Sequence, residues 1–125
     1  MARILVIEDD PAVVEMLTLM IQNEGHDVEV VVDGAHAIER LDRPPPDLVL
    51  LDLMMPSVGG FDVLSELRAR QGWSTIPVVI VTARTGDEDV WRGWTSGADY
   101  YLVKPFEVEQ LRSVVMRLLA ERVTP

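Results

Sequence analysis

Six polar side chains hold most of the chemistry available to this chain, and each follows a short apolar run. Glu8, Asp9 and Asp10 follow residues 4–7, Asp52 follows 48–51, Thr82 follows 78–81, and Lys104 follows 100–103. Gathered carboxylates repel one another, so such a group persists only if one is protonated or a cation sits among them. With oxygen ligands alone and no His or Cys nearby, the hard cation Mg²⁺ is the natural candidate. An Asp beside Mg²⁺ and an ammonium can attack phosphorus, because both cations screen the incoming phosphoryl charge. Thr82 could hydrogen-bond one of its oxygens. Any one of these acids alone reads as well as a helix N-cap or a solvated turn. The argument rests on four strand ends carrying such groups together.

The elements that would gather them are legible as alternating patterns. Residues 4–7, 28–32, 48–51, 78–81 and, more weakly, 100–103 are apolar runs without polar alternation, as in strands buried on both faces of a parallel sheet. Between them lie stripes at helical spacing: Val13, Leu17, Met20 and Ile21; Phe61, Leu64 and Leu67; Leu111, Val115, Leu118 and Leu119. Gly25, the three prolines 44–46, Gly59-Gly60 and Pro77 punctuate the boundaries, and 86–97 is the weakest helical segment. Such alternation implies right-handed crossovers and a parallel sheet with helices on both faces. In such sheets functional groups lie beyond the carboxyl ends of the strands, where the winding reverses.

The chain has 125 residues, 48% of them hydrophobic, which suits one core. Eleven basic against twenty-one acidic residues give a formal charge of −10, so direct nucleic-acid binding by this domain is not expected. No apolar run approaches a membrane span, and the absence of cysteine fits a reducing compartment, so a cytoplasmic location is expected. The end, Val123-Thr124-Pro125, reads equally as a frayed terminus or as the start of a linker in a longer protein.

The strings ILVIEDD (4–10), LVLLDLMMPSVGG (48–60), VIVTA (79–83) and YLVKPF (101–106) together resemble the receiver domains of two-component response regulators. That resemblance implies a flavodoxin-like, doubly wound (βα)5 sandwich of three layers with sheet order 2-1-3-4-5. It also implies Asp52 as phosphoacceptor and Glu8 and Asp9 as the acidic pair, with Asp10 just beyond. Mg²⁺ would be held by these acids, Asp52 and the backbone carbonyl of Met54. Thr82 matches the switch hydroxyl, Tyr101 the switch aromatic, and Lys104 the invariant lysine, whose bond to Pro105 is usually cis. Pro56 and Gly60 match the loop after the acceptor. The phosphoryl donor would be a sensor histidine kinase or a phosphotransfer protein, and the domain would assist only its own phosphorylation and dephosphorylation rather than act as an enzyme.

The chain departs from the DNA-binding subfamily that dimerises through its fourth helix, fifth strand and fifth helix. Asp99-Tyr100-Tyr101 stands where Asp-Asp-Tyr is usual, and Val90, Thr95, Gln110 and Val114 replace charged positions of that dimer. This argues against the charged dimer and a transcription-factor output. Trp91 and Trp94, three apart on the fourth helical segment, offer an aromatic surface with Tyr101 for a partner or a second copy; equally, one of them belongs to the core stripe. Met54 and Met55 read as hydrophobic filler in their side chains, and His26 and His36 lie outside every motif. Two other functions compete. A Mg²⁺-dependent phosphohydrolase of the haloacid-dehalogenase kind would need Asp where Met54 stands and room for a cap, and a receiver-like module that only binds partners would have lost residues that are all present.

Overall fold

The computed structural model describes residues 2–55, 58–83 and 86–123. Strands β1 (Arg3–Ile7), β2 (Asp27–Val31), β3 (Leu48–Leu51), β4 (Val78–Thr82) and β5 (Tyr100–Val103) alternate with helices α1 (Pro11–Asn23), α2 (Gly34–Arg40), α3 (Gly60–Ala69), α4 (Asp87–Thr95) and α5 (Val108–Val123). The strands form one parallel sheet in the order β2-β1-β3-β4-β5. All residues of β3 and β4 are buried, which is why their sequences show no alternation, whereas edge strand β2 leaves Asp27 and Val30 exposed.

Successive residues of each strand feed opposite faces. Leu5, Ile7, Val49, Leu51 and Ile80 join Val63, Leu64 and Leu67 of α3 in one core, while Ile4, Val6, Leu50 and Val81 join Leu17 and Ile21 of α1 and Leu111 and Val115 of α5 in the other. β1 lies between β2 and β3, so consecutive connections leave it in opposite directions and open a crevice at the carboxyl ends of β1 and β3.

Three strands extend one residue beyond their apolar runs. Arg3 pairs with Asp27 across β1 and β2, and its amide is held by the Asp47 carboxylate at 2.8 Å. Thr82 pairs with Val103, so it belongs to β4 rather than to the loop after it. Helix α2, which carries few apolar positions, starts at Asp33, whose carboxylate accepts from the His36 amide at 2.7 Å.

Arg68, near the end of α3, ties the far side of the sheet together. Its guanidinium donates to the carbonyls of Gly97, Trp73, Ser74 and Ile76 and to the Asp99 carboxylate. Asp99 in turn accepts from the Val78 amide at 2.8 Å, so the end of α4 and the starts of β4 and β5 share one polar anchor.

Candidate functional site

The sheet register brings the strand-end groups together. Ile7 pairs with Leu51, and the Asp52 amide donates to the Ile7 carbonyl at 3.0 Å, so Glu8 and Asp52 leave neighbouring strands side by side. The Lys104 amide donates to the Thr82 carbonyl at 2.7 Å, which places the lysine at the same edge. Glu8, Asp9 and Asp52 each bring a carboxylate oxygen within 4.8 Å of the others. Glu8 and Asp52 are 1% and 4% exposed, while Asp9 faces solvent. Three carboxylates, two of them buried, form a cradle that a hard cation would neutralise, and the oxygen donor set fits Mg²⁺.

Lys104 reaches into the cradle. Its Nζ donates to Glu8 Oε1 at 2.7 Å and to Asp52 Oδ2 at 3.5 Å. Burial pushes the Glu8 carboxyl up to about 7, with Asp52 adding to the rise and the Lys104 hydrogen bond opposing it. For Lys104, burial works downward, but the hydrogen bond to Glu8 and the charge of Asp52 outweigh it and hold the ammonium above its usual range. The lysine thus stays charged beside the Glu8 and Asp52 carboxylates.

The other expected site residues take distinct positions. Among the described residues Asp10 is not brought into the carboxylate cluster; its side chain caps α1 by accepting from the Ala12 amide at 2.9 Å, ahead of Pro11 in the first turn. The Met54 amide donates to Asp52 Oδ1 at 3.1 Å, orienting that carboxylate, and its side chain is 52% exposed at the rim rather than filler; Met55 is buried as expected. Gly60 packs so closely under the loop after β3 that a Cβ there would lie 2.5 Å from the Asp52 carbonyl oxygen. The Lys104–Pro105 peptide is cis. Pro56 lies outside the described residues.

A family model described as "Response regulator receiver domain" matches residues 4–116. The chain belongs to that family. This receiver domain is 48% identical over 109 residues to the DNA-binding response regulator MtrA of Mycolicibacterium smegmatis, covering 87% of the chain and 46% of that protein. It is 42% identical over 119 residues to the DNA-binding dual master transcriptional regulator RpaA of Synechocystis, covering 95% and 49%. The chain therefore spans about half the length of these relatives. It also resembles the crystal structure of the signal receiver domain of a signal transduction histidine kinase from Syntrophus aciditrophicus, with TM-score 0.92, 32% identity, and coverage of 100% of this chain and 95% of that one. A further likeness is the receiver domain of sensor histidine kinase PA1611 from Pseudomonas aeruginosa PAO1, with TM-score 0.87, 28% identity and coverage of 95% and 98%; that structure has a magnesium ion coordinated in its active site cleft.

The residues expected to form the switch and the partner surface lie between Thr82 and α4. Thr82 is wholly buried at the end of β4. Tyr101 is 9% exposed and belongs to the core under α4, so in this conformation it does not share a surface with the tryptophans. Its neighbour Tyr100 does: its ring meets Trp94 edge-on, with centroids 6.2 Å apart, and carries the Arg117 guanidinium over its face. Trp91 and Trp94 are 71% and 45% exposed, so neither supplies the inward stripe. That stripe runs instead through half-buried Val90 and buried Gly93. Sequence reasoning also missed the Glu8–Lys104 pairing and Arg68. The Glu-to-Lys separation of 96 positions gives no local signal, and Arg68 is one basic residue among many on helix surfaces.

Proposed function

We propose that Asp52 accepts a phosphoryl group with the help of Mg²⁺ and that the adduct reshapes the surface of α4, β5 and α5 to control an output. The supporting observation is the buried Asp52 carboxylate between the Lys104 ammonium and the acids Glu8 and Asp9. Glu8, Asp9, Asp52 and the Met54 carbonyl would hold the cation, which would supply charge neutralisation for the transferring group. The Met54 amide orients Asp52 for attack through Oδ1, and Lys104 supplies a second positive charge near Oδ2. The donor would be a phosphohistidine on a sensor kinase or phosphotransfer protein. A groove of about 440 Å³ lined by Val13, Met16, Ala83, Lys104, Pro105 and Phe106 offers such a protein an apolar footing beside the acceptor.

On the response side, Thr82 would turn toward the phosphoryl oxygens and Tyr101 would follow, altering the ground under Trp91, Trp94 and Tyr100. The exposed aromatic pair suits a partner surface or a second copy held by apolar contact. The loss of charged positions at Val90, Thr95, Gln110 and Val114 argues against a charge-locked dimer, whereas the DNA-binding names of two relatives favour a DNA-directed output in a longer protein, with this acidic domain as its switch. No described helix is long and apolar enough to cross a membrane. The proposed setting is the cytoplasm.

The test uses beryllofluoride with Mg²⁺ as a phosphoryl mimic, following Trp emission and sedimentation. The wild-type protein should change its Trp environment or its association state, and Lys104→Ala should bind the mimic with that response blunted. If wild type binds the mimic and neither readout moves, this surface is not the output.

A further inference from the structure

Gly93 lies in the last turn of α4, two residues before its end at Thr95, where glycine costs a helix up to about 1 kcal/mol relative to alanine. Its φ is not among the positive glycine values, so no turn requires it there. The space beside it supplies the reason. A Cβ built on Gly93 would lie 2.7 Å from Tyr101 Cδ2, 3.0 Å from Tyr101 Cε2 and 3.2 Å from Ile80 Cδ1. Ile80 pairs with Tyr101 across β4 and β5, so the aromatic ring lies in a slot whose wall is strand β4 and whose roof is the bare backbone of α4. The Ile80 methyl can swing away, but the ring, held by its strand and covered by the helix, has no comparable freedom in place.

Around this slot α4 is anchored to other elements. Arg92 lays its guanidinium over the Phe61 ring at 4.2 Å, linking the helix to α3, and Arg68 holds the Gly97 carbonyl just past the helix end. A helix fastened in this way cannot lift freely to admit a larger side chain, so crowding at Gly93 falls on Tyr101.

We propose that Gly93 is the positioning residue that admits Tyr101 beneath α4, and that a side chain at this position biases the ring outward and uncouples it from the acceptor site. The proposal rests on the reading of Tyr101 as the aromatic that responds to Asp52. Gly93 touches neither the acceptor nor the metal cradle, so phosphoryl chemistry is expected to persist in its variants.

Two measurements decide it. The first is a double-mutant cycle in urea on the metal-free full chain. In a Tyr101→Ala background, where the slot is empty, Gly93→Ala should raise the ratio of folded to unfolded chain by up to about fivefold, the gain of alanine over glycine inside a helix. In the wild-type background that gain should vanish or reverse. An equal effect in both backgrounds overturns the proposal. The second incorporates 3-fluorotyrosine at the two tyrosines, assigned with Tyr100→Phe, and follows the fluorine resonances on adding beryllofluoride and Mg²⁺. Wild-type Tyr101 should start shielded and shift with the mimic, while Tyr101 in Gly93→Ala should start at a solvent-exposed position and stay there. A shielded, normally responding Tyr101 in Gly93→Ala refutes the role of Gly93. If wild-type Tyr101 itself fails to shift, the reading of Tyr101 as the responding aromatic falls, and the cycle alone decides whether Gly93 seats the ring.

Discussion

Glu8 should make the metal-free domain lose stability as pH rises through neutrality. Its carboxyl is 1% exposed, and burial pushes its pKa from 4.5 to about 7 despite the hydrogen bond from Lys104. An acid whose pKa is higher in the folded chain holds its proton more tightly there than in the unfolded chain. Its stabilising effect is complete below 4.5 and is lost as pH rises through about 7. At about 1.36 kcal/mol per pH unit, that span corresponds to about 3 kcal/mol, a ceiling because water entering the crevice would relieve the desolvation. Glu8→Gln keeps the shape and removes the titration. Urea midpoints of both proteins in EDTA at pH 5, 6, 7 and 8 measure the effect, and the other acids cancel in the difference. The Gln variant should gain on wild type by up to about 3 kcal/mol between pH 5 and 8. Adding Mg²⁺ at pH 8 should restore wild type by mass action and help Glu8→Gln much less. If the two stabilities run parallel from pH 5 to 8 in EDTA, Glu8 is not a desolvated acid awaiting a cation.

Removing the polar anchor with Arg68→Ala should cost at least about 3 kcal/mol, because hydrogen bonds from a charged donor are worth about 1.5–3 kcal/mol each and the two short ones, to the Ile76 and Gly97 carbonyls, are lost together; chemical denaturation checks it. Gly60→Ala should destabilise by about 1–3 kcal/mol, since its Cβ has to displace the backbone at Asp52 and Leu53, and it should slow adduct formation as well. Trp91→Ala should change stability by no more than about 0.5 kcal/mol because the ring is largely in solvent, while removing the response of any partner that uses this face.

Much of this domain is legible before folding, for physical reasons that differ from place to place. Strands β3 and β5 end where their apolar runs end, because burial on both faces leaves no room for polar residues; Thr82 reads as a loop residue only because its pairing with Val103 is a long-range fact. Helix α2 escapes periodicity because it is seven residues long and is set by its Asp33 cap. The convergence of Glu8, Asp9, Asp52, Thr82 and Lys104 follows from parallel topology alone. The side-chain detail inside that cluster does not: Asp10 turns away to cap α1, and Lys104 leans closer to Glu8 than to Asp52. Trp91 and Trp94 sit at a spacing that suits either a core stripe or an exposed patch, and the slot at Gly93 decides the matter by drawing Tyr101 inward in their stead.

The most direct test of the central claim is intact-mass measurement of the chain after incubation with acetyl phosphate, with and without Mg²⁺, alongside Asp52→Ala. Wild type should gain a single phosphate that is base-labile and requires Mg²⁺, and Asp52→Ala should gain none. Equal phosphorylation of the two proteins, or no adduct on wild type with Mg²⁺ present, would contradict the assignment of Asp52 as the acceptor.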